Sequence, residues 1–260
     1  MMPWETLTSA FLLLVLQFLS FENIKVQACT FYVHNKCSFP IWPATASNQG
    51  HPVIANGGFY LPSGKLHTVK APGDWGGRFW ARTGCNFNSI HKPGCETGDC
   101  GGGRLECNGT IGLPPATLVE FSLQIDKNKP NFYDVSLVDG YNLPVSVTTK
   151  SSSTKCSIKG CLQDLKSRCP QELHVLNAKG EVVACKSACM AFNLDSFCCR
   201  GEFGSPDKCK PSLYSKMFKH ACPSYFSYAY DSSNPLVACS SDDYIITFCP
   251  DAWGGEHMST

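Results

Sequence analysis

The sequence predicts a mainly β protein, a sandwich or barrel of short strands joined to a small cysteine-stapled loop and a disulfide-rich helical region. Three observations predict it. Thr117 to Asp126 alternates Val119, Phe121, Leu123 and Ile125 with Glu120, Ser122, Gln124 and Asp126, the period-two pattern of a half-buried strand. Phe132 to Val138 repeats the pattern, with Tyr133, Val135 and Leu137 against Asp134 and Ser136. The 17 cysteines of the 260-residue chain are unevenly spread, and helical patterning is confined to the stretch where they are densest.

Residues 1–28 stand apart from the fold. Ala10 to Leu19 is an apolar run of signal-peptide length, too short to span a bilayer, and Val26-Gln27-Ala28 places small or aliphatic residues where a signal peptidase reads. The segment is read as a cleaved secretory leader, although no Lys or Arg precedes the run; an uncleaved anchor is the alternative. Thr30 to His34, Leu66 to Lys70 and Arg78 to Thr83 are short β-branched or aromatic runs bounded by Gly, Pro or Asn, and each is expected to be a strand. Cys85 to Cys107 is a Gly-rich insert holding four cysteines. The two alternating strands follow, separated by the turn-like Lys127 to Asn131. Cys156 to Cys239 holds ten cysteines, which marks a loop-rich region needing covalent staples. Its helices are Lys186 to Asn193 and Pro211 to Ala221, the latter placing Leu213, Met217 and Phe218 on one face. Tyr244 to Cys249 closes the set as a last strand.

The formal net charge of +1, or +2 without residues 1–28, supplies no field for a polyanion, so neither nucleic-acid binding nor polybasic membrane docking is expected. So many cysteines exclude an ordinary cytosolic enzyme, and an apolar share of 43% excludes disorder. Cys29 sits at the processing junction, which leaves an even sixteen and roughly two million possible pairings into eight bridges. No metal is expected, since the Cys185 to Cys189 spacing lacks paired CxxC or HxxxH partners, and no cofactor motif is present. Gly101-Gly102-Gly103 lacks the strand, Lys and helix of a phosphate loop, and no G-x-S-x-G elbow occurs. Asn108-Gly109-Thr110 is a glycosylation sequon, and a monomer is expected.

Glu120 and Asp134 occupy the polar faces of neighbouring strands, and an even-sum antiparallel register puts both on one side of the sheet. Two such carboxylates suit the acid and base, or acid and nucleophile, of glycoside hydrolysis; on pattern alone they are simply a solvated strand face. Asp139-Gly140 is by default a turn dipeptide.

Cys95 to Cys107 (CETGDCGGGRLEC) resembles the motif of thaumatin-like, pathogenesis-related plant proteins. GRFWARTGC (77–85), PPATLVEF (114–121), FYDVSLVDGYNLP (132–144), CKSAC (185–189), YFSYAYD (225–231) and YIITFCP (244–250) extend the resemblance over residues 29–260. His91 and Pro93 stand where that family usually has glycines. The resemblance implies a flattened β-sandwich of about eleven strands as domain I (29–84, 108–155 and 235–260), a small stapled domain III (85–107) and a disulfide-rich helical domain II (156–234). It also implies eight bridges: Cys37 with Cys249, Cys85 with Cys95, Cys100 with Cys107, Cys156 with Cys239, Cys161 with Cys222, Cys169 with Cys185, Cys189 with Cys198, and Cys199 with Cys209.

Family members commonly carry an acidic interdomain cleft of one Arg and four acids, and the matching positions here are Arg78, Glu120, Asp134, Asp139 and Asp231. Many relatives have a second Asp after the last of these, where this chain has Ser232. The resemblance implies a secreted, apoplastic or wall-associated defence protein that binds fungal β-1,3-glucan, with Phe87 or Tyr141 as aromatic neighbours of the groove. Two alternatives stand beside it. One is a weak endo-β-1,3-glucanase with Glu120 as acid and Asp134 or Asp139 as base or nucleophile. The other is recognition of a secreted protein, including enzyme inhibition; the sweet-receptor binding of some strongly basic relatives is not expected of a near-neutral chain.

Overall fold

The computed structural model describes residues 28–90, 93–126, 128–151, 153–232 and 236–250. The apolar run of the leader and His91 lie outside the described residues. In chain order the elements are β1 (Ala28–Asn35), β2 (Trp42–Ser47), β3 (Leu66–Pro72), β4 (Gly76–Arg82), β5 (Leu118–Ser122), β6 (Asn131–Ser136) and β7 (Val145–Thr149). Then follow α1 (Leu165–Arg168), β8 (His174–Leu176), β9 (Val182–Cys185), α2 (Ala188–Phe192), α3 (Asp195–Cys198), α4 (Leu213–Ala221), β10 (Val237–Cys239) and β11 (Asp243–Phe248).

Nine of the described strands build two sheets, ordered β3-β1-β11-β7 and β10-β6-β5-β4-β2, while β8 and β9 form a separate hairpin. Among the described residues the sandwich thus has nine strands, against the about eleven that the resemblance implies, and two further strands belong to the helical region. Between the sheets lie the alternate residues of each strand: Phe31 and Val33, Phe79 and Ala81, Val119 and Phe121, Tyr133 and Val135, Tyr244 and Ile246. Phe31 is central, with its ring centroid 4.8 Å from those of both Phe79 and Phe121. Each fully buried side chain of this kind contributes about 1.5–3 kcal/mol. Cys29, the unpaired cysteine, is also a member of this core, buried in β1 opposite Ala71.

Strands β2 and β7 are not anticipated from the sequence. Pro43 reads as a strand breaker, but β2 is an edge strand hydrogen-bonded to β4 on one side, where the missing N–H is tolerated. Two side chains assigned to buried faces are exposed. Ile125 is 63% exposed because β5 ends at Ser122, and Leu213 is 83% exposed because the buried side of α4 runs through Ser215, Phe218 and Ala221. Met217 is half-buried beside Phe218.

The helices start where short polar side chains accept from backbone N–H groups: Asp164 from Lys166 (3.0 Å) at α1, Ser187 from Met190 (3.3 Å) at α2, and Ser212 from Ser215 (3.1 Å) at α4. None of the described helices is long and apolar enough to cross a membrane. All eight implied disulfides are formed, so Cys185 and Cys189 are bonded to Cys169 and Cys198.

Candidate functional site

The pairing of the five-stranded sheet aligns Ala46, Arg78, Glu120 and Asp134 as one row across β2, β4, β5 and β6. These residues point away from the sandwich core, because their chain neighbours Phe79, Val119, Phe121, Tyr133 and Val135 point into it. The even-sum register expected for Glu120 and Asp134 is present in its tightest form: the two are direct cross-strand partners. Arg78 Nη2 lies 3.6 Å from Glu120 Oε1, in an ion pair that remains partly open to water.

The two carboxyl groups are not equivalent. Burial pushes Asp134 from 3.8 up to about 7; the charge of Glu120 adds to the rise and Arg78 opposes it. Below about pH 7 Asp134 retains a proton, while Glu120 faces the guanidinium. Asp134 is thus the carboxyl held up by burial, and Glu120 is the one paired with Arg78.

The next row of the same face, Ala44, Trp80 and Leu118, is covered. Together with Cys100, Cys107 and Ala116 it forms a second small apolar cluster beneath the stapled loop. Trp80 donates its indole N–H to Gly98 O (2.8 Å). Arg82, fully buried, donates to the carbonyls of Trp42 (3.0 Å), Arg104 (3.3 Å) and Leu105 (2.7 Å), and burial lowers its pKa to about 10. Asn142 joins the same region with all four hydrogen-bonding positions engaged: its amide donates to Ala81 O and Thr97 Oγ1, and its oxygen accepts from Thr117 and Leu143 N–H. The GRFWAR alternation already places Arg78, Trp80 and Arg82 on one face, but nothing in the sequence around Asn142 distinguishes it from a loop residue.

Asp139 sits in the turn after β6. Gly140 has φ +85°, and a Cβ there would lie 2.5 Å from Pro115 Cβ, so the turn requires glycine as the dipeptide suggested. Among the described residues, no hydrogen bond or ion pair links the Asp139 carboxylate to the row. Asp231 is buried and committed: its Oδ2 accepts from Ser227 N (3.0 Å) and Ser227 Oγ (2.9 Å) and lies 2.9 Å from Lys219 Nζ. Its loop adjoins the sheet edge, where Phe226 pairs with β6 through Val135 and Leu137. The fourth acid therefore has its charge compensated and acts as a pin for that loop.

Tyr141 cannot stack on a ligand, because it is completely buried and donates its hydroxyl to Asp164 (3.3 Å). Phe87 packs against Trp42 (ring centroids 6.5 Å apart) and Arg82, beyond the covered rows and away from the carboxylates. Phe132 lies on the open side instead, on the same face two residues from Asp134. Asn108 is exposed in a turn with φ +49°.

The family model described as "Thaumatin family" matches residues 35–250. A "Thaumatin-like protein" of Arabidopsis thaliana is 50% identical over 224 residues, covering 86% of this chain and 90% of that protein. "Pathogenesis-related thaumatin-like protein 3.5" of Cryptomeria japonica is 47% identical over 230 residues, covering 88% and 93%. Among solved structures, a laminaripentaose-producing β-1,3-glucanase in complex with laminaritetraose superposes with a TM-score of 0.55 at 11% identity, over 85% of this chain and 98% of that one, a likeness of fold alone.

Proposed function

The chain belongs to the Thaumatin family, and from that premise we propose that it is a secreted plant defence protein that binds β-1,3-glucan of fungal walls along the Arg78, Glu120 and Asp134 row. The observation that carries the reading is the inequality of the two opposed carboxyl groups. A sugar hydroxyl both donates and accepts, and the row offers both roles at once: donors at Arg78 and protonated Asp134, an acceptor at Glu120. Asp139 extends the acidic groove from the turn beyond β6. The pathogenesis-related naming of a relative 47% identical supports the defence role, and eight bridges support an oxidising compartment reached through the leader at 1–28. The exposed Asn108 is a fitting glycan acceptor there.

A second reading has one specific observation in its favour. Glu120 and Asp134 are directly opposed, a pairing that places Cβ atoms about 4.5–5.5 Å apart and allows the carboxyl groups to approach the short spacing used by retaining glycosidases. Weak endo-glucanase activity would use Asp134 as acid and Glu120 as nucleophile. Retention on insoluble β-1,3-glucan, with a reducing-end assay on the same samples, tests both readings. Binding without product is the expected outcome, with retention falling at least tenfold in Glu120→Gln. Product that disappears in Asp134→Asn would establish the enzyme instead, and wild-type retention by both variants would remove the row as the site. A protein-recognition or inhibitory role is probed by capture of fungal wall hydrolases on the immobilised protein.

A further inference from the structure

We propose that a second groove, separate from the carboxylate row, binds a neutral oligosaccharide by stacking it on Trp42. The groove encloses about 410 Å³ between the edge strand β2, the stapled loop and the β8–β9 hairpin, within the ~300–1,000 Å³ range of small-molecule sites. Its apolar wall is Phe39 and Trp42, and its polar rim is Glu96, Lys166, Asn177 and Glu181.

Trp42 differs from the other described tryptophans. Trp75 and Trp80 are fully buried, and their indole N–H groups are bonded to Ser47 and Pro52, and to Gly98. Trp42 is half-buried, and among the described residues its indole nitrogen makes no hydrogen bond. The ring is nevertheless held, braced by Tyr60 (5.4 Å between centroids) and Phe87 (6.5 Å). A rigid, part-open indole with a free donor suits a ligand that has an apolar face and polar edges. Phe39, 39% exposed, continues that surface.

The rim selects the ligand's charge. Glu181 Oε2 accepts from Asn177 (2.7 Å), which fixes the hairpin turn and orients the carboxylate, while Glu96 supplies a second carboxylate beside Gly84. Lys166 already lies 3.9 Å from Asp164. An anion entering here meets two carboxylates against one partnered ammonium. A neutral polyol finds acceptors for its hydroxyls and aromatic carbon for its C–H face. The covered rows of Trp80 and Leu118 stand between this groove and Glu120, so the two sites are independent.

The test is tryptophan fluorescence, with calorimetry, on the intact secreted protein titrated with laminarihexaose, cellohexaose, xylohexaose and, as a charged comparison, trigalacturonate. The expected result is saturable quenching by at least one neutral hexamer. Affinity should fall tenfold or more in Trp42→Ala and at least threefold in Phe39→Ser, while quenching persists in Glu120→Gln. Phe39→Ser keeps the proposal testable if Trp42→Ala fails to fold. The proposal is overturned if no neutral hexamer gives saturable quenching, if trigalacturonate is preferred, or if binding survives both aromatic substitutions. Loss of wall-glucan retention in Glu120→Gln belongs to the carboxylate row, so the two ideas fail separately.

Discussion

At Asp134, burial and the charge of Glu120 raise the carboxyl to about 7, so the native state holds a proton that the unfolded chain releases near pH 4. The sign follows from linkage. This group's contribution to stability is full below about pH 4, declines as pH rises through that window and stays at its low value above 7. Asp134→Asn should therefore gain on the wild type by ~1–3 kcal/mol between pH 4.5 and 8, measured as the difference between their thermal unfolding curves; parallel curves would show that Asp134 is not the buried acid. Cys29 shows the same force acting on a thiol. Burial, reinforced by Asp242 and Asp243, pushes it up to about 12, so it stays protonated and shielded in the core while the sixteen bonded cysteines carry the covalent frame.

At the level of elements, the stapled loop rests on β4 through two side chains, Trp80 and Arg82. Arg82→Met removes a buried cation and leaves three carbonyls without their donor, a loss of about 3–5 kcal/mol. It should make the segment between Cys95 and Leu113 the first to be cut in limited proteolysis, and an unchanged cleavage pattern would show that the two bridges there suffice. The opposition of Glu120 and Asp134 was legible because alternation fixes the face and an even-sum register then aligns it. Arg78 was legible as a site residue only through the family resemblance, the run Arg78 to Thr83 by itself marking no more than a strand. Tyr141 and Asp231 were not, since their burial depends on Asp164 and Lys219, partners 23 and 12 residues away that meet them only in the folded chain. Ile125 and Leu213 misled for a simpler reason: periodicity continues past the point where the ladder or the packed helix face stops.

Across the whole molecule, the Cys37–Cys249 bridge joins positions 212 residues apart, just beyond the ends of β1 and β11, which lie side by side and parallel. Removing both cysteines as Cys37→Ser/Cys249→Ser should lower stability by up to about 5 kcal/mol in the loop-entropy picture, seen as a fall in the urea midpoint with the fold retained. A variant with an unchanged midpoint would mean that the β1–β11 ladder alone holds the closure. The adjacency of these two strands also sets a timetable for synthesis. The first strand made lacks its parallel neighbour until the last strand has been made, and Tyr244, Ile246 and Phe248 reach the core only then. At ~5–20 residues per second the nascent chain waits roughly 10–40 s for that completion, its four-stranded sheet still half built and the free edge of β1 open to aggregation for that interval.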